Sequence, residues 1–104
     1  ISERERLARD LGTHNALVLR NHGLVACGAS VAEAFSLMYW LETACKVQVD
    51  ALATGLPLVH PGPALAERMA RRYCPQSSHA RKFADLEWQA LRRLLDREDP
   101  GYGD

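Results

Sequence analysis

The alternation of apolar and polar blocks along the chain predicts a β-hairpin with helices before and after it. Residues 16–20 and 24–27 are two mostly apolar runs, and Asn21, His22 and Gly23 lie between them. Asn and Gly both tolerate positive φ, so the chain can reverse tightly at these three residues. We therefore predict an antiparallel hairpin, and the continuous apolar character of its strands indicates that both faces are covered.

Two of the predicted helices carry the same signal at their N-termini. Ser2 is followed three residues later by Glu5, and Ser30 is followed three residues later by Glu33. In such a capping box, each side chain bonds the backbone N–H of the other residue. The first helix is expected to end at Gly12, because the residue that caps a helix C-terminus adopts positive φ.

The second of these helices is predicted to run to about residue 53. Its apolar positions follow helical spacing, but Leu37 and Trp40 add apolar groups outside that stripe. A helix that is apolar nearly all round is buried on more than one side. In a chain of 104 residues, the second partner is expected to be another subunit. On the remaining exposed strip, Glu42 and Lys46 are expected to form an ion pair.

Two more helices and a tail are predicted in the C-terminal part of the chain. Pro63 suits the first position of a helix that reaches Tyr73. Ser77 or Ser78 is expected to cap a last helix that reaches about Arg97. Residues 99–104, with the sequence DPGYGD, form a tail that we expect to be flexible.

The composition narrows the classes of function. With 47% hydrophobic and 25% charged residues, the chain has the make-up of one ordinary globular domain. Its formal net charge is zero, which removes the electrostatic footprint of a nucleic-acid binder and leaves no polybasic patch for a membrane. The first ten residues are strongly charged, so we expect no signal peptide. We expect neither nucleic acid nor a membrane as a partner.

The number and spacing of the cysteines indicate the cellular compartment of the protein. Cys27, Cys45 and Cys74 are odd in number and widely spaced, which does not suit a disulfide framework. We expect free thiols in a reducing environment, and therefore a cytoplasmic protein. The chain begins at Ile1 rather than at a methionine, so we also expect a fragment or a processed form of a longer protein.

Considered by itself, His22 has two interpretations. A histidine in a hairpin turn is most often a plain turn residue, but rigid backbone between Asn and Gly also suits a ligand or a catalytic imidazole. One histidine cannot make a metal site, because a catalytic zinc needs about three protein ligands. The other histidines and the cysteines have no metal-ligand spacing. Cys27 is more typical of a small apolar strand residue than of a reactive thiol.

A longer stretch around the turn resembles a known family. Residues 16–52, ALVLRNHGLVACGASVAEAFSLMYWLETACKVQVDAL, are similar to the strand, Asn-His-Gly turn, strand and Glu-Ala-Phe helix of the class II aldolase/adducin family. The stop at Gly28 is part of the likeness. Residues 87–104, EWQALRRLLDREDPGYGD, resemble the C-terminus of its aldolase-like, adducin-like members. The resemblance covers nearly all of this chain but only the C-terminal half of the family's domain, so residues 1–104 are expected to be the C-terminal portion of such a domain.

The resemblance implies a fold and a site. The family's domain is an α/β/α sandwich around a largely antiparallel sheet, to which this chain would contribute the hairpin and about four helices. Family enzymes act on sugar phosphates or related hydroxy-carbonyl substrates at a divalent metal of the zinc type. The histidine of the Asn-His-Gly turn is one metal ligand and maps onto His22. A C-terminal tyrosine that assists proton transfer in some aldolases maps onto Tyr102.

Three hypotheses follow from the resemblance. In the first, the chain is part of a metal-dependent lyase that works as a homo-oligomer, and the isolated chain is inactive because other ligands are missing. In the second, it is a non-catalytic, adducin-like structural or oligomerisation module, and His22 is only a turn residue. In the third, it is a small helical cap or dimerisation domain that merely resembles the family. A two-stranded sheet without its neighbours is marginal in water, so for such a half-domain we also predict self-association, or an exposed strand edge that pairs with another chain.

Overall fold

The computed structural model describes residues 2–74 and 76–103. In chain order, the elements are helix α1 (Glu3–Leu11), strands β1 (Ala16–Leu19) and β2 (Gly23–Ala26), helices α2 (Val31–Ala53), α3 (Pro63–Tyr73) and α4 (Ser78–Glu98), and a turn of 3-10 helix (Pro100–Gly103). The predicted fold class is confirmed: it is an α/β structure with one antiparallel hairpin and four α-helices in the described part of the chain. Each strand ends one residue earlier than predicted.

The N-terminal caps follow the sequence closely, with one difference. At α1, the Ser2 hydroxyl accepts a hydrogen bond from the Glu5 N–H, and the Glu5 carboxylate accepts one from the Ser2 N–H, which confirms the capping box. At α2, the Ser30 hydroxyl accepts from the Glu33 N–H at 3.1 Å. The Glu33 carboxylate, however, reaches past Ser30 and accepts from the Ala29 N–H at 2.8 Å. The predicted reciprocal box at α2 is therefore wrong in its second bond.

Helices α2 and α4 pack against each other. Ala32 and Ala84 are 7% and 3% exposed and are the buried apolar residues among those described. Between the two helices, the Ser36 hydroxyl donates to the Glu87 carboxylate at 3.1 Å. α2 also packs on β2, so that the hairpin and α4 share one supporting helix.

The chain leaves an unusually large apolar surface in solvent. Its accessible surface is 8785 Å², whereas a compact protein of this mass exposes about 5,800 Å². The radius of gyration is 16.7 Å, compared with about 13 Å for a compact domain of this length. Twenty large apolar side chains of the described residues are exposed, and seven of them lie on α2. The predicted second apolar face of α2 is therefore present and uncovered within residues 2–74 and 76–103.

Two details at the exposed surface depart from or extend the sequence predictions. Lys46 forms an ion pair with Asp50 at 3.1 Å, and not with Glu42 as predicted. Both carboxylates lie four residues from Lys46 on the helix, so the spacing alone does not choose between them. The tail folds back as a 3-10 turn, in which the Tyr102 hydroxyl donates to the Asp96 carboxylate at 2.8 Å. The flexibility of this tail stays a prediction.

In the described residues, no helix combines the length and the apolar character that a bilayer crossing requires.

Candidate functional site

The tip of the hairpin holds His22 on a closely defined turn. Leu19 pairs with Gly23 at the last position of the ladder, and the His22 N–H donates to the Leu19 carbonyl at 3.2 Å. Asn21 has a φ of 55°. A positive φ at the third residue of a four-residue turn is what a type II turn requires, and Asn adopts it more readily than most residues. The sequence prediction of a tight reversal at Asn21 is confirmed.

The side chain of His22 is exposed and has no partner. Within residues 2–74 and 76–103, it takes part in no hydrogen bond, ion pair or ring contact. Both ring nitrogens are thus available to a ligand, which fits the role of one metal donor. The same residues contain no group of three or more His, Cys, Asp or Glu side chains that could hold a metal ion. His22 is therefore one possible donor without the rest of a donor set in the described chain.

Tyr102, the second candidate residue, has no contact with His22 among those described below. Its hydroxyl donates to Asp96 on α4, and no hydrogen bond, ion pair or ring contact among the described residues joins it to His22. The contacts of the described residues therefore do not link the two predicted site residues. Cys27, which follows β2, is a half-buried free thiol.

The base of the hairpin carries a set of contacts that the sequence did not reveal. The Cys27 N–H donates to the Asn15 carbonyl at 2.8 Å, and the Asn15 side-chain amide donates to the Cys27 carbonyl at 3.3 Å. The side chain of Gln76, just before α4, donates to the side-chain oxygen of Asn15 at 3.2 Å. Nothing local in the sequence shows this contact, because its two partners are 61 residues apart.

Gly28 has a second role beyond ending β2. A Cβ at this position would lie 2.6 Å from the backbone nitrogen of Ala34 and 2.8 Å from the Cβ of Glu33. Only glycine therefore lets the chain leave the hairpin so close to the first turn of α2. The hairpin is thus attached tightly to α2 at its base, while its tip with His22 stays open.

The described residues also form a cleft. A cleft of about 510 Å³ opens between α2, α3 and α4. It is lined mainly by apolar and aromatic side chains, among them Leu37, Trp40, Tyr73 and Phe83. Neither His22 nor Tyr102 lines this cleft. The position of the cleft therefore gives no support to either candidate residue, and the case for His22 depends on its own turn.

Comparison with known proteins identifies the class of this fold. The family model described as "Class II Aldolase and Adducin N-terminal domain" matches residues 1–49, which include α1, the hairpin and most of α2. A crystal structure of an aldolase II superfamily protein from Pseudomonas syringae matches 100% of this chain and 41% of its own, with a TM-score of 0.83 and 34% sequence identity. The fold is that of the aldolase II class.

Two relatives extend the comparison along the chain. A Pseudomonas aeruginosa protein whose name places it in aldolase class 2 is 44% identical over 101 residues, which are 96% of this chain and 39% of the relative. Beta-adducin of Rattus norvegicus is 50% identical over 54 residues, which are 51% of this chain and 7% of the relative. The chain belongs to the class II aldolase/adducin family. It spans about two fifths of the length of the aldolase-named relatives that it matches. That it forms the C-terminal half of the family's domain stays a prediction.

Proposed function

We propose that this chain supplies one metal ligand, His22, to a metal-dependent lyase of the class II aldolase type. The observation that carries the proposal is the free, exposed imidazole on a turn fixed by Asn21 and the Leu19–His22 bond. A neutral imidazole held on rigid backbone is a suitable ligand for zinc. When bound, a divalent metal acts as a Lewis acid on a substrate carbonyl.

The rest of the site belongs, in this proposal, to parts of a longer protein outside these 104 residues. A catalytic zinc has about three protein ligands, so His22 needs two or more donors from elsewhere. The isolated chain is therefore inactive. The substrate class is a sugar phosphate or a related hydroxy-carbonyl compound, the assembly is a homo-oligomer, and the location is cytoplasmic. Tyr102 acts in proton transfer only where another part of the assembly brings it to the metal.

Metal analysis of the longer protein tests the proposal. Elemental analysis is expected to find about one zinc per chain in the longer protein and none in residues 1–104 alone. His22→Ala should abolish the bound zinc. His14→Ala is the matched control, because His14 is also exposed in a loop and should leave the zinc content unchanged. Full zinc in the His22→Ala variant would overturn the proposal.

A second candidate function has its own observation. Beta-adducin is 50% identical to this chain over 54 residues, about half of its length, so the chain is similar to an adducin as well as to the aldolase-named relatives. In that alternative, the protein is a non-catalytic structural or oligomerisation module and His22 is a turn residue. Absence of stoichiometric metal from the longer protein, with an unchanged oligomeric state in His22→Ala, would favour this alternative.

A further inference from the structure

We propose that Asn15 is a positioning residue for His22, which acts by fixing the register of the hairpin. This inference rests on the proposed role of His22 as a metal ligand. Asn15 takes part in three hydrogen bonds at the base of the hairpin. Two of them join it to the backbone N–H and carbonyl of Cys27, and the third joins its side chain to that of Gln76.

The register of this hairpin needs such a constraint. β1 and β2 pair over four positions, from Ala16 with Ala26 to Leu19 with Gly23. A two-stranded sheet of this length is marginally stable on its own. A slip by one residue would turn every side chain of the shifted strand to the opposite face and would change which residues form the turn. His22 would then leave the position at which the turn holds it.

The hydrogen bonds of Asn15 favour the observed strand register over the two registers shifted by one residue. Both backbone polar groups of Cys27 are bonded to Asn15, the N–H through the main chain and the carbonyl through the side chain. In a shifted register, Asn15 would face Ala26 or Gly28, and the bond to the Cys27 carbonyl would be lost. The bond from Gln76 holds the Asn15 amide in the orientation that makes this bond. The side chain thus adds a fifth pair to a ladder of four, at the end opposite His22.

The test uses the longer protein with the substitution Asn15→Ala. Zinc affinity, measured by competition titration, is expected to fall about tenfold, the low end of the range for residues that support a metal ligand. The visible spectrum of the Co²⁺-substituted protein is expected to shift, because the imidazole changes its orientation. Amide hydrogen exchange at Cys27 is expected to accelerate. Asn15→Asp keeps the acceptor for Gln76 but cannot donate to the Cys27 carbonyl, so it should behave like Asn15→Ala.

Two comparisons make the outcome decisive. Ser36→Ala removes the bond to Glu87 between α2 and α4, away from the hairpin, and should lower the melting temperature without changing zinc affinity or the Co²⁺ spectrum. If Asn15→Ala lowers stability but leaves affinity and spectrum unchanged, the residue is only structural and the inference is overturned. Retained affinity in Asn15→Asp would also overturn it. If His22→Ala itself binds zinc normally, the proposed function fails, which is a separate result.

Discussion

The ring of Phe35 on α2 meets the ring of Trp88 on α4 edge to face, with 5.4 Å between the ring centroids and 61° between the ring planes. The two residues are 53 positions apart, so this contact joins the two halves of the chain. Edge-to-face pairs contribute about 0.5–1.5 kcal/mol beyond the area they bury. The pair therefore supports the packing of α2 on α4.

A double-mutant cycle on this pair is the first prediction. Phe35→Leu and Trp88→Leu should each destabilise the protein, and the coupling free energy between them should be about 0.5–1.5 kcal/mol in chemical denaturation. Tyr39→Leu is the control, because Tyr39 is on the same helix, is 58% exposed and has its ring contact within α2. A coupling energy near zero would mean that the rings touch without stabilising the packing.

Replacement of Gly28 by alanine is expected to be costly. The new Cβ would overlap the backbone nitrogen of Ala34 at 2.6 Å, and a backbone atom cannot turn aside as a side chain can. The first turn of α2 would have to move away from the hairpin, at a cost of about 1–3 kcal/mol in the free energy of unfolding. Gly62→Ala is the matched control, since nothing lies within 4 Å of a Cβ at that position and its φ is −60°. Equal stability of the two variants would show that α2 adjusts freely at Gly28.

Glu33 is predicted to stabilise the start of α2 through its bond to Ala29. Its side chain is 12% exposed and also lies 3.4 Å from the guanidinium of Arg81. Glu33→Ala should lower the free energy of unfolding by about 1–2 kcal/mol, because the Ala29 N–H loses its acceptor. Glu33→Gln keeps an oxygen acceptor and should cost less. Glu42→Ala, on an exposed part of the same helix, should change stability by no more than about 0.5 kcal/mol. A Glu33→Gln variant as unstable as Glu33→Ala would assign the effect to charge instead.

The sequence predicted best where the signals are local. Asn21 and the caps at Ser2 and Ser30 act within four residues, so residue type and spacing were enough to locate the turn and the helix starts. The second bond of the α2 cap was missed because the Glu33 side chain is long enough to reach either Ser30 or Ala29. The spacing of residues in the sequence does not decide whether the Glu33 carboxylate accepts from the backbone N–H of Ser30 or from that of Ala29.

Contacts between distant parts of the chain could not be predicted from the sequence. Helix α2 is apolar on most sides, so its pattern did not show that the face with Phe35 would pack on α4 while Trp40 stays 55% exposed. The bond between Asn15 and Gln76 joins two ordinary polar residues across 61 positions. For the candidate site, the turn at His22 was predictable because it is local, whereas the described residues contain no group of three or more possible ligands from which a metal site could be recognised.

Self-association of the isolated chain is the last prediction. The accessible surface of 8785 Å² and the twenty exposed large apolar side chains predict a species larger than a monomer. Gel filtration combined with small-angle scattering over a range of concentrations should show its mass increasing with concentration. Val18→Lys places a charge on β1 at a side chain that is 73% exposed, and should weaken association if strand edges pair. Unchanged association in that variant would assign the contact to the helical faces, and a monodisperse monomer at every concentration would contradict the prediction.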